Sequence, residues 1–228
     1  EKINAILSSS ATSGTPSMIG IDSVTSKRQT VASAKVMSNY LGDNRRPFLI
    51  LDEDPLVSDS VEISARTAAT RGFLILASEP QYFLINNNTR LSFDIDKFQK
   101  SINSCEEKDQ EVCIFGFTYV LYHHVVKELM EKNIQLKLPV NSKVAHIGGW
   151  KKLVSEKISK EQFVSDISNI FGVKPDNIYD FYGFTEQMGL LYVSVGNNPK
   201  TVSTYSEIII RDFQTLKPVK DGEQGLIQ

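Results

Sequence analysis

Residues 46–52 read RPFLILD, and the unbroken apolar run at positions 48–51 predicts a short strand that is buried on both faces. Such strands belong to parallel sheets, whose two faces are covered by helices. Working outward from this run, apolar and helical segments alternate along the chain. We expect further strands at residues 3–7, 73–77, 112–115 and 143–147, and helices at residues 61–70, 94–104 and 117–132. This alternation predicts the α/β fold class.

Two further helices carry a predicted start signal. A capping box pairs a Ser with a Gln three residues later, so that both side chains satisfy free backbone N–H groups of the first turn. Ser26 with Gln29 forms one such box, and Ser159 with Gln162 forms the other. We expect the first of these helices to turn Val31 toward the core.

After residue 178 the pattern changes to short apolar segments joined by turns rich in Gly, Asn and Pro. We expect strands at residues 178–182, 190–195, 206–210 and 225–227. The predicted organisation is therefore an α/β unit at residues 1–177 and a β-rich continuation of the same domain at residues 178–228.

Composition excludes several classes of protein. The 228 residues are 41% hydrophobic and 23% charged with a net charge of −2, so neither nucleic acid nor an anionic membrane is an expected partner. No apolar run is long enough to span a membrane. The two cysteines and three histidines lack metal-ligand spacing, and two cysteines make no disulfide scaffold. Free thiols are the favoured state, which points to the cytoplasm.

A run of small hydroxyl residues follows the first predicted strand. Residues 8–17 read SSSATSGTPS, in which every residue except Ala11 and Pro16 is Ser, Thr or Gly. Backbone N–H groups and hydroxyls of such a run can converge on a phosphate. The run lacks the Lys of the ordinary P-loop, and no dinucleotide fingerprint occurs in the chain.

Three later blocks complete a pattern. Along the chain they are the pair Gly148-Gly149, the block Tyr182-Gly183-Phe184-Thr185-Glu186, and the turn formed by Gly222, Glu223 and Gly225. Together with the Ser-rich run, and in this order, they resemble the motifs of adenylate-forming enzymes, the superfamily of acyl-CoA synthetases, luciferases and peptide-synthetase adenylation domains. The residues 46–52, Phe115-Gly116-Phe117 and Gly148-Gly149-Trp150-Lys151 are most similar to LuxE-type acyl-protein synthetases.

The resemblance implies a fold and an activity. The chain would be a fragment of the large N-terminal domain, in which α/β layers precede a β-rich segment. The enzyme would use ATP and Mg²⁺ to convert a carboxylic acid, with a fatty acid favoured, to an acyl-adenylate. It would then pass the acyl group to a protein thiol, on an acceptor such as a reductase. An acyl- or aryl-CoA ligase and a degenerate nucleotide-binding domain are the alternatives.

The resemblance also implies roles for individual residues. The β- and γ-phosphates would be held by Ser9, Ser10, Thr12, Ser13 and Gly14. Thr185 would contact the α-phosphate, and Glu186 would bind Mg²⁺, with both acting in catalysis. Gly148 and Gly149 would approach the adenine, Tyr182 would stack on it and Gly183 would leave room for it.

Each of these assignments has a structural alternative. Glu186 could be a surface carboxylate, the Gly pair a plain turn, and Trp150 a packing residue. Phe115 and Phe117 would line the acyl pocket or lie in the core. Packing is the favoured role for His123 and His124, and His146 could approach the substrate.

The chain departs from the superfamily pattern at two loop positions and lacks two of its parts. Ala11 replaces a Gly and Ser17 replaces the terminal Lys. The ribose-binding Asp and the small C-terminal domain with its adenylation Lys are not found within residues 1–228. The resemblance implies that the cysteine that accepts the acyl group lies in that C-terminal part as well. We interpret the chain as a piece of a longer protein, and expect it to bind ATP or AMP weakly without completing adenylation.

The Ser-rich run can be tested by two substitutions of opposite effect. Gly14→Val adds a Cβ where the backbone is expected to turn toward phosphate, so ATP affinity should fall about ten- to a hundredfold. Ala11→Gly restores the superfamily residue and should leave the affinity unchanged or raise it. Calorimetric titration of ATP into each variant measures both effects. Equal affinities for the wild type and Gly14→Val would make the run an ordinary surface loop.

Overall fold

A computed structural model describes residues 2–9, 15, 17–54, 65–86, 91–150 and 157–228. The strands of these ranges are β1 (Ala5–Ser8), β2 (Met18–Ile21), β3 (Arg46–Leu51), β4 (Ala77–Tyr82), β5 (Leu84–Asn86), β6 (Leu91–Phe93), β7 (Cys113–Phe117), β8 (Lys143–Ile147), β9 (Ile178–Phe184), β10 (Gln187–Val195), β11 (Ile210–Arg211) and β12 (Leu226–Ile227). The helices are α1 (Ser23–Leu41), α2 (Ala65–Phe73), α3 (Ile95–Glu107), α4 (Thr118–Leu121), α5 (Lys127–Glu131) and α6 (Lys160–Phe171). None of these helices has the length and apolarity needed to cross a membrane.

Six strands form the central sheet, in the order β10-β9-β8-β7-β3-β4. The five strands from β9 to β4 in that order pair in parallel, and β10 returns antiparallel beside β9. Each crossover between parallel strands carries at least one helix, as this geometry requires. The α/β class predicted from the alternating segments is confirmed.

Helices cover both faces of this sheet. Along β3, Phe48 and Ile50 point into one core, which α1 and α2 close. Leu49 and Leu51 point into the other core, which α3, α4, α5 and α6 close. All four side chains are fully buried. The unbroken apolar run therefore marks a strand covered on both faces, as predicted.

Helix α1 begins three residues before the predicted capping box of Ser26 and Gln29, so that prediction is wrong. Asp22 caps the helix instead, because its carboxylate accepts two backbone N–H hydrogen bonds of the first turn at 2.8 and 2.9 Å. Val31, which we expected in the core, is 62% exposed.

The prediction of a strand at residues 73–77 is also wrong, because the strand lies further along the chain. The chain there completes α2 and forms one 3-10 turn, Leu74–Leu76, before β4 begins at Ala77. Strand β4 lies at the edge of the sheet and exposes Ser78, Glu79 and Pro80. Its polar sequence lacks the apolar pattern by which the buried strands were recognised.

Other predictions agree with the structure in full or in part. Strand β8 has the predicted bounds. Ser159 caps α6, because its side chain accepts a 3.1 Å hydrogen bond from the Gln162 backbone N–H, but the Gln162 side chain donates to Oδ1 of Asp166 at 2.7 Å instead of closing the predicted capping box. The helix expected at residues 117–132 is present as α4, a π-helical segment (Tyr122–Val126) and α5. Part of the helix expected at residues 61–70 lies outside the described residues.

The predicted β-rich segment is attached to the central sheet. Strands β9 and β10 extend that sheet, whereas β11 pairs only with β12 among the described strands. The strand expected at residues 206–210 is reduced to the two residues of β11. The division of the chain at residues 177 and 178 stays a prediction.

The buried faces of the sheet predict a large effect for Phe181→Ala. Phe181 is fully buried, and its ring meets that of Phe73 at 5.0 Å. Removing the ring should lower the free energy of unfolding by about 3–5 kcal/mol, as measured by urea denaturation. Phe213 is 63% exposed, so Phe213→Ala should cost less than about 0.5 kcal/mol. Similar losses for the two variants would contradict the described packing of β9.

Candidate functional site

The carboxyl ends of β7, β8 and β9 lie side by side, because these strands are parallel neighbours. In open α/β sheets, ligands bind at this edge. Strand β7 ends at Phe117, β8 is followed by Gly148 and Gly149, and β9 ends at Phe184. The predicted adenine-binding Gly pair and the block at residues 182–186 therefore meet at one edge.

One cavity at this edge, here called the apolar cavity, has a volume of about 230 Å³. Its wall combines Leu7, which precedes the Ser-rich run, with Gly148, Gly183 and Thr185. Most of the remaining wall is hydrophobic and comprises Met37, Phe73, Phe117, Ile147, Met188 and Leu191. The Gly pair and the block at residues 182–186 thus border a single space that suits a hydrophobic ligand, and the strand that leads into the Ser-rich run borders it too.

A second space, here called the polar cavity, has a volume of about 220 Å³. Gly148, Gly149 and Trp150 contribute one part of its wall. Its polar lining consists of Thr118, His146, Lys157, Ser159, Lys160 and Asp180. Because Gly148 borders both cavities, a ligand in either one contacts the same peptide segment.

Gly148 has a φ of +84°, a conformation that residues with a Cβ rarely adopt. Its carbonyl oxygen accepts a 2.6 Å hydrogen bond from the hydroxyl of Thr118, the first residue of α4. This bond joins the segment after β8 to the segment after β7. The Gly at this position is therefore required by the backbone conformation, whatever ligand the site binds.

His146 lies beneath this segment, with its ring 4.6 Å from that of Phe163. Its Nδ1 lies 2.8 Å from Oγ1 of Thr118 and 3.8 Å from Oδ1 of Asp180. Burial lowers the pKa of His146 to about 4, against the opposing effect of the Asp180 carboxylate. The imidazole is therefore neutral at neutral pH.

The charges around the polar cavity are held by hydrogen bonds within the protein. Nζ of Lys200 lies 2.7 Å from Oδ2 of Asp180, and Nζ of Lys160 donates to Oγ of Ser194 at 2.9 Å. Burial lowers the pKa of Lys200, while its hydrogen bond to Asp180 raises it. These bonds fix the position of the Asp180 carboxylate.

The Ser-rich run connects the two strands of a hairpin. Within it, Ser9 donates its backbone N–H to the carbonyl of Ser17, and Ser17 donates its N–H to the Ser9 hydroxyl at 2.8 Å. The hairpin partners are β1 and β2. The other predicted phosphate-binding residues, Ser10, Thr12, Ser13 and Gly14, lie outside the described residues. Ala11, which replaces a Gly of the superfamily loop, lies outside them too.

The block at residues 182–186 forms the end of β9 and the turn into β10. Tyr182 is 40% exposed, and its ring lies 5.0 Å from that of Phe184. Thr185 lines the apolar cavity, whereas Glu186 is exposed and lines neither cavity. Among the described residues, no three His, Cys, Asp or Glu side chains are grouped to hold a metal ion.

The aromatic residues and histidines for which packing was an alternative role fall into two groups, those in the core and those in a cavity wall. Phe115 is fully buried and stacks on Phe73 at 4.3 Å, so it belongs to the core, whereas Phe117 lines the apolar cavity. Trp150 lines the polar cavity. His123 stacks on Tyr119 at 5.1 Å.

The two cysteines are both free and buried. Burial raises the pKa of the Cys113 thiol to about 12. Such a thiol does not ionise at neutral pH and is a poor nucleophile.

Sequence reasoning missed an ion pair at the apolar cavity. Arg66 lines this cavity and donates from Nε to Oδ2 of Asp52 at 2.9 Å and from Nη2 to Oδ1. The guanidinium also lies over the Phe117 ring, 5.2 Å from its centroid. The position of Asp52, directly after the buried strand β3, was an available signal, because ligands bind at this edge of the sheet.

Comparisons with known proteins agree with the sequence motifs. The family described as "Acyl-protein synthetase, LuxE" matches residues 1–228. A long-chain-fatty-acid–luciferin-component ligase of Aliivibrio fischeri is 24% identical over 234 residues, which cover 100% of this chain and 58% of that protein. The chain thus spans less than two thirds of this curated relative.

Solved structures of adenylate-forming enzymes share the fold. ATP-bound MatB from Rhodopseudomonas palustris superposes with a TM-score of 0.58 at 13% identity, covering 99% of this chain and 39% of MatB. The McyG A-PCP structure, complexed with phenylalanyl-adenylate, has the same TM-score at 13% identity and covers 100% and 34%. The chain therefore matches part of a larger adenylate-forming fold.

The buried neutral state of His146 predicts an acid-dependent loss of stability. The pKa in the folded protein, about 4, lies below the unfolded value of 6.5, so protons bind preferentially to the unfolded chain. The stabilisation is complete above about pH 6.5 and decreases as the pH falls toward 4. The wild type should lose about 2–3 kcal/mol more than His146→Asn between about pH 7.5 and 4.5.

Urea denaturation of both proteins at the two pH values measures this difference. Titrating groups that do not interact with His146 change the free energy of unfolding equally in the two proteins, so their effect cancels in the comparison. Parallel losses in the wild type and the variant would contradict a buried neutral imidazole.

Proposed function

The chain belongs to the LuxE family of acyl-protein synthetases, and we propose that it forms the nucleotide- and acid-binding part of an enzyme that activates a carboxylic acid with ATP. The product would be an acyl-adenylate. The observation that carries this proposal is the position of Gly148 between a polar and an apolar cavity, at the sheet edge where the other motifs converge.

The polar cavity is assigned to the adenosine. Gly148 and Gly149 let the backbone approach a flat base closely. Tyr182 lies outside the wall of this cavity, but it is 40% exposed and follows Asp180 by two residues on β9, so its ring is on the same face of the sheet and could stack on the base. Asp180 offers a fixed carboxylate that accepts hydrogen bonds, which suits an exocyclic amine.

The apolar cavity is assigned to the acid. Its wall of Phe73, Phe117, Met188 and Leu191 suits a hydrocarbon chain, which supports a fatty acid as substrate. Because Arg66 is already paired with Asp52, this cavity adds little net charge and favours an apolar tail.

The reaction joins two anions. A carboxylate oxygen attacks the α-phosphorus of ATP, the bond from that phosphorus to the bridging oxygen breaks, and pyrophosphate leaves with the electron pair. Ser9, together with Ser10, Thr12, Ser13 and Gly14, would hold the β- and γ-phosphates, while Thr185 would contact the α-phosphate. Mg²⁺ held by Glu186 would supply positive charge for the leaving group.

The acyl group would then pass to a thiol of a protein acceptor, such as a reductase. Membership of an acyl-protein synthetase family and the name of the Aliivibrio fischeri relative, a ligase that acts on a luciferin component, support this choice over coenzyme A. Cys105 and Cys113 are buried, which fits an acceptor outside the described residues. Their free state also supports a cytoplasmic location.

The proposal predicts a selective effect of Glu186→Gln. In the complete polypeptide that carries this chain, loss of the Mg²⁺-binding carboxylate should slow adenylation by roughly 10²–10³-fold. Because Glu186 is exposed, thermal stability should not change. ATP–pyrophosphate exchange in the presence of a long-chain fatty acid measures the rate.

Glu207→Gln is the matched control, because Glu207 is also exposed and lines neither cavity. Full activity of Glu186→Gln, or equal losses in the two variants, would remove the Mg²⁺ assignment. A wild type that neither binds ATP nor exchanges pyrophosphate with any carboxylic acid would contradict the proposed function itself.

A further inference from the structure

The hydroxyl of Thr118 makes three short contacts. It lies 2.6 Å from the carbonyl oxygen of Gly148, 3.3 Å from that of Ile147 and 2.8 Å from Nδ1 of His146. A hydroxyl has one proton, and a carbonyl oxygen can only accept. The hydroxyl proton therefore goes to Gly148, and His146 Nδ1 must carry the proton that Thr118 accepts.

This arrangement selects one tautomer of the neutral imidazole, with the proton on Nδ1 and the lone pair on Nε2. The carboxylate of Asp180, 3.8 Å from Nδ1, favours the same tautomer. Lys200 holds this carboxylate in turn. The donor direction thus runs from His146 through Thr118 to the carbonyl of Gly148.

The segment that accepts this hydrogen bond lies outside the hydrogen-bonded part of the sheet. Strand β8 ends at Ile147, so Gly148 lies beyond the ladder of β7 and β8. Thr118 stands at the start of α4, directly after β7, and replaces the missing ladder contact with a side-chain bond. Gly148 is also the residue that borders both cavities.

We propose that Thr118 and His146 are positioning residues, which hold the Gly148 peptide in the orientation that both the nucleotide and the acid require. This inference rests on the proposed function and adds to it two residues of the polar-cavity wall that act through the Gly148 peptide. Loss of the hydrogen-bond relay releases the segment from Gly148 to Trp150 while the sheet beneath it remains intact.

The chain provides its own reporter for this movement. Trp150 is its single tryptophan and lies two residues after Gly148 in the wall of the polar cavity. Its ring packs against Tyr122 at 5.5 Å and Phe163 at 6.3 Å. A shift of the segment changes these contacts and therefore the intrinsic fluorescence.

The test compares Thr118→Val with Thr118→Ser. Val keeps the shape of Thr and removes the hydroxyl, whereas Ser keeps the hydroxyl. Thr118→Val should shift the Trp150 emission without ligand and weaken ATP binding about tenfold by calorimetry, which corresponds to about 1.4 kcal/mol. Thr118→Ser should match the wild type in both measurements, and circular dichroism establishes that each variant is folded.

A second pair covers the outcome in which Thr118→Val does not fold. His146→Asn keeps an N–H donor near the position of Nδ1, and His146→Leu has the same size without a donor. Only His146→Leu should shift the emission and lower the ATP affinity.

Equal emission and equal affinity of Thr118→Val and Thr118→Ser would overturn the inference. So would an emission shift in Thr118→Val with unchanged ATP affinity, since the segment would then move without consequence for the nucleotide. If the wild type does not bind ATP, the proposed function fails, and the emission of the four variants still decides whether the relay holds the segment.

Discussion

Parallel pairing of strands buried on both faces is the constraint on which the site depends. Strands β3, β7, β8 and β9 alternate their side chains between two cores, so a slip of one residue would send each apolar side chain to the wrong face. The fixed register brings the last residues of β7 and β8 together at one edge, with Phe117 opposite Ile147. The segments that follow these strands are therefore held close to each other before any ligand binds.

Beyond the strand ends, hydrogen bonds from side chains hold neighbouring segments together. Thr118 bonds to Gly148 across the ends of β7 and β8, while Asp52 at the end of β3 holds Arg66 of α2. The first bond spans 30 residues of sequence and the second spans 14. They hold Gly148 and Arg66 in place, and these residues belong to the cavity walls.

Local signals in the sequence were sufficient where one interaction dominated. The buried run of β3, the bounds of β8 and the Ser159 cap of α6 were predicted because burial or a single cap decided each of them. The start of α1 was missed because Asp22 competed with a capping box four residues later, and β4 was missed because an edge strand needs no apolar run. Thr118 and His146 are 28 residues apart, and only the pairing of β7 with β8 brings them together.

The distribution of charge explains why two cavities with different linings suit the proposed reaction. His146 is neutral, Asp180 is paired with Lys200, and Arg66 is paired with Asp52. Lys157 and Lys160 add positive charge to the wall of the polar cavity, whereas the wall of the apolar cavity carries little unbalanced charge. In the proposed function the phosphates are assigned to another part of the site. The hairpin that carries Ser9 and the turn at Thr185 lie next to the apolar cavity, through Leu7 and Thr185 respectively. If the proposed function is correct, Ser17 stands in the place of the Lys of the superfamily loop, and hydroxyls, backbone N–H groups and a metal ion would have to balance more of the phosphate charge.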